Sequence, residues 1–425
     1  MSANLILPAP ASGEILHCTE GLSFWGGVDP DTGTIIDAHH PQHGQTLAGR
    51  IVLMPTSRGS CSGSGVLLHL ALTGRAPAAL VFCEAEDILT LGAILAGSMY
   101  QKPIAVLRLS AADHAAIARQ ASANITQTQI SAGNITLPLT PLDTSLTLSE
   151  QDTSRLAGTE GPALKLAMQT LTTMAAVQGA KTLIDVTRAH IDGCIYASPA
   201  NLTFAQTMAD MGATVTIPTT MNAISVDLQN WQAQSVPSLF GTPASQLAEA
   251  YVTMGAQPNF TCAPYQSADA PQQGENIGWS ESNAVIYANS VLGARSVKHP
   301  DFLDLFIALT GRAPRAGVYL PQNRRPQITI AVNLPANHDE SLWPLLGWCA
   351  GKLSPDSIPR LIGLETANPT EDDLRALCAA FGTTSAAPML HVAGITPEGD
   401  LAPAPTAPKP KITAQDLATA CHTFN

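Results

Sequence analysis

"RIVLMPTSRGSCSGSGVLLHLALTG", residues 50–74, decides how the first part of the chain folds. "RIVLMP" (50–55) reads as a short buried strand. "GVLLHLALTG" (65–74) has helical length and apolar spacing, and Gly74 can end it. Between them "RGSCSGSG" (58–65) packs three serines, three glycines and a cysteine behind an arginine. Such a strand–turn–helix can serve three kinds of chemistry. A Walker phosphate loop needs GxxxxGK[ST], and no lysine is present. "GSCSG" (59–63) fits the GxCxG form of a nucleophile elbow, which would make Cys61 the nucleophile of a hydrolase, although no spacing identifies its His and acid partners. A serine at a glycine turn beside Arg58 and a helix N-terminus sits where N–H groups and the helix dipole stabilise negative charge, so its hydroxyl could act as a base. A turn that only caps the helix is the plain alternative.

Working outward, "AALVFC" (78–83) and "KPIAVLRL" (102–109) add strands, so residues 1 to about 120 are expected to form a small β-rich domain. The stretch 120–145, rich in Thr, Ser, Asn and Gln, reads as a connection between domains. Beyond it helices alternate with strands. "GPALKLAMQTLTTMAAVQG" (161–179) places Leu164, Met168, Leu171 and Ala175 on one helical face. "TLIDV" (182–186) and "ATVTIP" (213–218) read as strands, and "ANLTFAQTMADMG" (200–212) as a helix. "TPASQLAEAYVTMG" (242–255) reads as a helix with Thr242 as N-cap and Pro243 at its first position. The alternation argues for an α/β domain with a parallel sheet. The loops "TRAHIDGCIY", "TTMNAISVD" and "CAPY" would then offer His190, Asn222 and Cys262 at the sheet edge where such folds bind ligands. The proline-rich "LAPAPTAPKPK" (401–411) reads as a stiff linker into a short helix capped by Thr413. The expected divisions are 1–145, 146–400 and 401–425.

Composition narrows the function. Of 425 residues, 45% are hydrophobic and 13% charged, so sizeable cores form and disorder is excluded. A net charge of −12 without a basic stripe excludes a nucleic-acid binder. The start "MSANLILPAPASGEILHC" lacks the basic region and apolar run of a secretion signal, and no run nears the roughly 18 apolar residues of a membrane span. The eight cysteines are scattered and form no CxxC pair, which argues against a zinc ribbon and for a reducing cytoplasm.

Several long segments carry a resemblance. "SFWGGVDPDTGTIIDAHHP" (23–41), "RGSCSGSGVLLHL" (58–70) and "ALTGRAPAALVF" (71–82) resemble the small domain of the aconitase X family. "AHIDGCIY" (189–196), "PTTMNAISVD" (218–227), "FTCAPYQ" (260–266), "WSESNAVIYANSVLGAR" (279–295) and "HVAGITPEG" (391–399) resemble its large domain, in the same order. The resemblance implies an α/β protein in which a small β-rich swivelling domain is fused to a larger aconitase-like domain.

It also implies a hydro-lyase with an iron–sulfur cluster, [2Fe-2S] or larger, acting on a small hydroxy acid. "KHPDFLDLFIALTGRAP" (298–314) resembles the fused type that dehydrates cis-3-hydroxy-L-proline to Δ1-pyrroline-2-carboxylate, ahead of the type that dehydrates mevalonate 5-phosphate. On matching positions it implies Ser60 as base, with Ser64 as runner-up and Arg58 in support. The implied substrate loop is Gly193, Cys194 and Ile195 with Asn222 and Ala223; His190 and Asp192 are further candidates. Cys262 is the implied cluster ligand. Longer members carry two more cluster cysteines beyond the position of Asn425. A cytoplasmic monomer or small homo-oligomer is expected, with no nucleic-acid or membrane partner. A Cys61 hydrolase and a non-catalytic binding protein are the readings from other classes.

Overall fold

The computed structural model describes residues 3–334, 339–402 and 409–423. They form two compact units. The first takes in the chain to Asp185 together with Ile191–Phe260 and His299–Arg315; the second takes in Val186–His190, Thr261–Lys298 and the chain from Ala316 onward.

The first unit opens with a closed barrel of eight strands: β1 (Ala3–Leu7), β2 (Ala11–His17), β3 (Ile51–Leu53), β4 (Ala79–Phe82), β5 (Ala105–Arg108), β6 (Ser122–Ile125), β7 (Gln129–Ala132) and β8 (Ile135–Pro141). Their order is β1-β5-β4-β3-β2-β6-β7-β8. Strands β2 to β5 run parallel in register. Helices α1 (Gly63–Leu72) and α2 (Ile88–Tyr100) are the crossovers that parallel pairing requires. Strand β1 closes the ring, antiparallel to β5 and parallel to β8. Ile51, Leu53, Ala79, Val81, Ala105 and Leu107 fill the interior. Val52, Leu80 and Phe82 on the alternate face are equally buried, which is why these strands read as unbroken apolar runs.

The stretch 120–145 corrects one expectation: it is not a connection but supplies β6, β7 and β8. Ala123, Ile125, Ile130, Ala132 and Leu139 face the barrel core, while the intervening Asn, Ser and Thr face outward. A strand with one wet face and small apolar residues on the other resembles a polar loop in composition, and only its period of two betrays it.

Helices α3 (Ala111–Ile117), α4 (Glu150–Ala157), α5 (Pro162–Val177), α6 (Pro199–Asp210) and α7 (Ser238–Thr253) follow, and Leu303–Thr310 adds a further helix to this unit. Helix α5 buries Leu166, Ala167, Leu171, Met174 and Ala175. Two further expectations change. Residues 213–218 form no strand: the N–H groups of Val215 and Thr216 bond to Met254 and Ala308, joining two helix ends, and the strand comes at Thr219–Met221. Helix α7 begins at Ser238 with Pro237 as its cap, so Thr242 is not the N-cap and Pro243 lies inside the helix. Trp231 packs so closely on Gly241 that a Cβ there would lie 2.2 Å from its ring, and this contact carries the helix past Thr242 toward the N-terminus.

Asp87, just before α2, accepts a hydrogen bond from Gln178 of α5 at 2.7 Å. Burial pushes its carboxyl up to about 6. The native state therefore binds a proton that the unfolded chain has released, so this contribution to stability is full below about 4 and falls as pH rises to about 6. Asp87→Asn should flatten that slope and raise stability at pH 7 by on the order of 1 kcal/mol; urea melts at pH 4 to 7 check it.

The second unit is built on a parallel four-stranded sheet in the order His391–Val392, Pro359–Ile362, Ile328–Val332 and Lys411–Ile412. Helices Leu342–Leu353, Glu371–Gly382 and Ala414–Thr423 cover it with Trp343, Leu346, Leu377, Phe381 and Leu417. The four-stranded parallel sheet of this α/β chain lies here, and not in the stretch 161–255, whose alternation of helix and strand is the ground for expecting one. Thr413 caps the last helix by accepting from Asp416 N–H at 3.3 Å; of the proline-rich stretch before it, residues 403–408 lie outside the described residues. Among the described residues no helix is long and apolar enough to cross a membrane.

Candidate active site

The turn between β3 and α1 is held at both ends. Ser57 donates to Glu86 at 2.7 Å, and Glu86 also accepts from the N–H groups of Leu89 and Thr90 at the start of α2. Gly59 has φ +88°, and a Cβ there would lie 2.5 Å from Ser23 Oγ, so glycine alone fits. This geometry presents Ser60 half-buried beside the α1 N-terminus. Its Oγ accepts from Ser62 N–H and donates to Ser62 Oγ, both at 3.3 Å. Arg58 is exposed and engaged elsewhere, 2.8 Å from Asp37 and 3.7 Å from Glu20.

Cys61, the next residue, is buried. Its Sγ lies 4.0 Å from Ser60 Oγ and donates to Asp192 Oδ2 at 3.0 Å. Asn222 Nδ2 donates to the other oxygen of Asp192, and Asn222 N–H bonds Ile191 O at 2.9 Å. Thus the barrel's turn meets the loops at 191–196 and 219–227 within one unit. Gly193 is needed for close packing: a Cβ there would lie 3.2 Å from Tyr251 Oη and 3.4 Å from Phe302 N. Cys194 is buried and its thiol points to the carbonyls of Ile191 and Asn222 at 3.4 and 3.5 Å. Ile195 and Ala223 are half-buried beside them; Ala223 N–H bonds Asn222 Oδ1 at 2.8 Å. Ser64 is fully buried, with its hydroxyl between the carbonyls of Cys61 (3.0 Å) and Asp301 (3.2 Å), a structural role in holding two segments together.

Sequence reasoning missed two residues here. Asp301 and Asp304 belong to "DFLDLFIALTG", and both are buried in the same cluster. Asp304 Oδ2 accepts from the N–H groups of Asp192 (2.8 Å) and Gly193 (3.4 Å), and its Oδ1 from Leu305 N–H (2.7 Å). Between the two aspartates Phe302 has φ +79°, a conformation a bulky residue rarely adopts. It is held there by its ring on Phe204, centroids 4.4 Å apart, and the kink turns both carboxyls to one side. The legible signal was two aspartates three apart in an otherwise apolar helix start.

The electrostatics follow from burial without a countercharge. Burial, and then the charges of Asp192 and Asp304, push the Asp301 carboxyl well above its ordinary value. Burial raises Asp192 and lifts Asp304 to about 6. Burial, and then Asp301 and Asp192, push the Cys61 thiol up, so it is not poised as the thiolate a hydrolase needs. Among the described residues, Cys61, Asp192 and Asp301 bring three candidate ligand atoms within 4.8 Å of one another, a group that could hold a metal ion.

His190 and Cys262 belong to the second unit. His190 is fully buried on the strand that pairs with Gly278–Trp279, and burial lowers its imidazole to about 3, so it is neutral. Cys262 is exposed, two residues before the turn Pro264–Gln266. Near the first unit's site, a recess of about 500 Å³ is lined by Ala223, Val226, Asp227, Leu228 and Phe260.

Three family models match the chain: the aconitase X swivel domain over residues 1–133, the aconitase X first domain over 145–322 and the aconitase X second domain over 326–422. The chain belongs to the aconitase X family. It is 47% identical over 404 residues to a cis-3-hydroxy-L-proline dehydratase of Hypocrea jecorina, covering 91% of this chain and 67% of that protein. It is 48% identical over 415 residues to one of Pseudomonas aeruginosa, covering 95% of this chain and 72% of that protein. The crystal structure of Thermococcus kodakaraensis aconitase X in its holo form superposes with a TM-score of 0.60 at 29% identity, over 66% of this chain and 70% of that one. Within this aconitase X chain the swivel model covers the first seven of the barrel's eight strands, and the first-domain model contains Asp192, Asn222 and Asp301 of the site.

Proposed function

We propose that this chain is a hydro-lyase that removes water from cis-3-hydroxy-L-proline, giving Δ1-pyrroline-2-carboxylate once the enamine product tautomerises. The observation that carries the reading is the meeting of the Ser60–Cys61 turn with Asp192 and Asn222. A barrel-borne hydroxyl lies 4.0 Å from a thiol that is itself bonded to the acid of the other domain. Elimination requires a base for the weakly acidic proton α to the carboxylate, donors that stabilise the charge left behind, and an acid for the departing hydroxide, a role open to the buried carboxyls of Asp192 and Asp301, which burial makes readier to hold a proton. Ser60 is the base: Ser62 N–H and the α1 dipole favour the negative charge on its oxygen. Asn222 and Gly193–Ile195 orient the substrate, and the recess beside Ala223 is large enough for a five-membered ring acid.

The charge pattern selects among substrates. Arg58 is held by Asp37 and Glu20, and Arg188, in the second unit, by Glu275 at 2.8 Å. A phosphate dianion would find both guanidiniums already paired, whereas a hydroxyproline zwitterion, with no net charge, needs none. This favours the imino acid over mevalonate 5-phosphate.

The family resemblance also implies an iron–sulfur cluster. The one group of three ligand atoms found among the described residues contains one thiol and two carboxylates, whereas such clusters are held by thiolates. In the second unit Cys349 and Cys378 lie in the apolar core, not beside an exposed turn such as that of Cys262. The described residues therefore do not assemble a cluster site, and no step is routed through one. Assays of the purified protein, supplied with ferrous iron and sulfide, should show turnover of cis-3-hydroxy-L-proline at least about tenfold above mevalonate 5-phosphate, the ratio that 1.4 kcal/mol of discrimination gives. Preference for the phosphate would reverse the assignment.

A further inference from the structure

The Cys61–Asp192–Asp301 group asks what charge it is built around. Each member is at least nine-tenths buried, and their ligand atoms lie within 4.8 Å of one another. A buried anionic group without a countercharge is costly. Two further features point to a ligand. Asp301 Oδ1 is buried with no hydrogen-bond partner. So is the hydroxyl of Tyr251, wholly buried and directed at Gly193, beside Asp192. Buried polar atoms left unpaired are rare in a folded protein and mark a missing partner.

We propose that Cys61, Asp192 and Asp301 bind a single divalent cation of the zinc or ferrous class, separate from any cluster at Cys262. The donor set decides the class. One thiolate excludes magnesium and calcium, which take oxygen ligands, and two carboxylates exclude a soft monovalent ion. Three protein ligands are also the number that catalytic sites of this class use, against four in closed structural sites. The supporting shell is present: Asn222 fixes Asp192 through its second oxygen, Asp304 fixes the backbone of Asp192 and Gly193, and Ser64 ties the carbonyls of Cys61 and Asp301 together. The ligands come from the swivel turn and from two separate stretches of the neighbouring domain, so the ion would also fasten the barrel to its partner domain.

Cobalt(II) is the probe, because a thiolate ligand gives it a charge-transfer absorption and the readout needs no substrate. The chelator-treated full chain should bind one cobalt per chain with that band, displaceable by zinc. Cys61→Ser should abolish the band, Asn222→Ala should weaken binding by about 10–100-fold, and Cys262→Ser should leave it intact. Asp301→Asn, close in shape to the native side chain, should weaken binding while near-ultraviolet circular dichroism stays native, which separates loss of a ligand from loss of fold. A band that survives Cys61→Ser or requires Cys262, or no band at several equivalents of cobalt, overturns the proposal.

Discussion

Ser60→Ala should lower kcat by about 10²–10⁴, the range that a general base contributes, while KM for cis-3-hydroxy-L-proline changes little. The side chain is half-buried at the lip of the α1 N-terminus and is not part of a core, so the variant should melt within about 0.5 kcal/mol of the parent. Ser64→Ala is the contrasting variant. Its hydroxyl is fully buried between the carbonyls of Cys61 and Asp301, so its loss should cost about 1 kcal/mol of stability and far less of kcat. The reverse pattern, with Ser64→Ala inactive and Ser60→Ala active, would move the base to Ser64. Steady-state kinetics and thermal melts of the two proteins decide it.

The second large effect concerns the other unit. Arg324 is wholly buried. Its Nε donates to both oxygens of Glu398 at 3.0 and 2.7 Å, and its remaining donors reach Asn289 Oδ1, Asn289 O and Val318 O. His391 bonds to the carbonyl of Arg324 at 2.7 Å. Asn289 in turn holds Ser296 O and Pro388 O through its amide nitrogen. One guanidinium thus joins Glu398 and Val318 to the π-helical turn Ala288–Leu292. Arg324→Met should destabilise this unit by about 3–5 kcal/mol, because it leaves Glu398 and two backbone carbonyls without their donor. Arg324→Met combined with Glu398→Met should recover a substantial part of the loss, since the stranded carboxylate is then gone as well. Urea unfolding of the three proteins checks both statements; a single variant within 1 kcal/mol of the parent would show that the pair carries little stability.

Much of the architecture was written in local pattern. "RIVLMP" and "AALVFC" are unbroken apolar runs because both faces of β3 and β4 are covered, and "GVLLHLALTG" sits where α1 forms. Strands β6 to β8 were missed because their inward residues are as modest as Ala123 and Ala132, so polar residues dominate the composition. The start of α7 was misplaced because Trp231, not a local cap, draws the chain into helix before Thr242. At the site, Asp192 and Asn222 were legible as polar residues in loops after strands. Asp301 and Asp304 were not, because their meaning lies in contacts distant in sequence, Asp301 with Cys61 and Asp304 with the backbone of Asp192, and in the kink at Phe302. Burial shared by residues distant in sequence has no local signature.

In the proposed function, removal of the α-proton and loss of water are one reaction. With cis-3-hydroxy-L-proline carrying deuterium at C2, the protein, supplied with ferrous iron and sulfide, should release that deuterium to solvent as the pyrroline carboxylate appears, and Ser60→Ala should slow both together. Intact label with no pyrroline product, or product formed at full rate by Ser60→Ala, would contradict it.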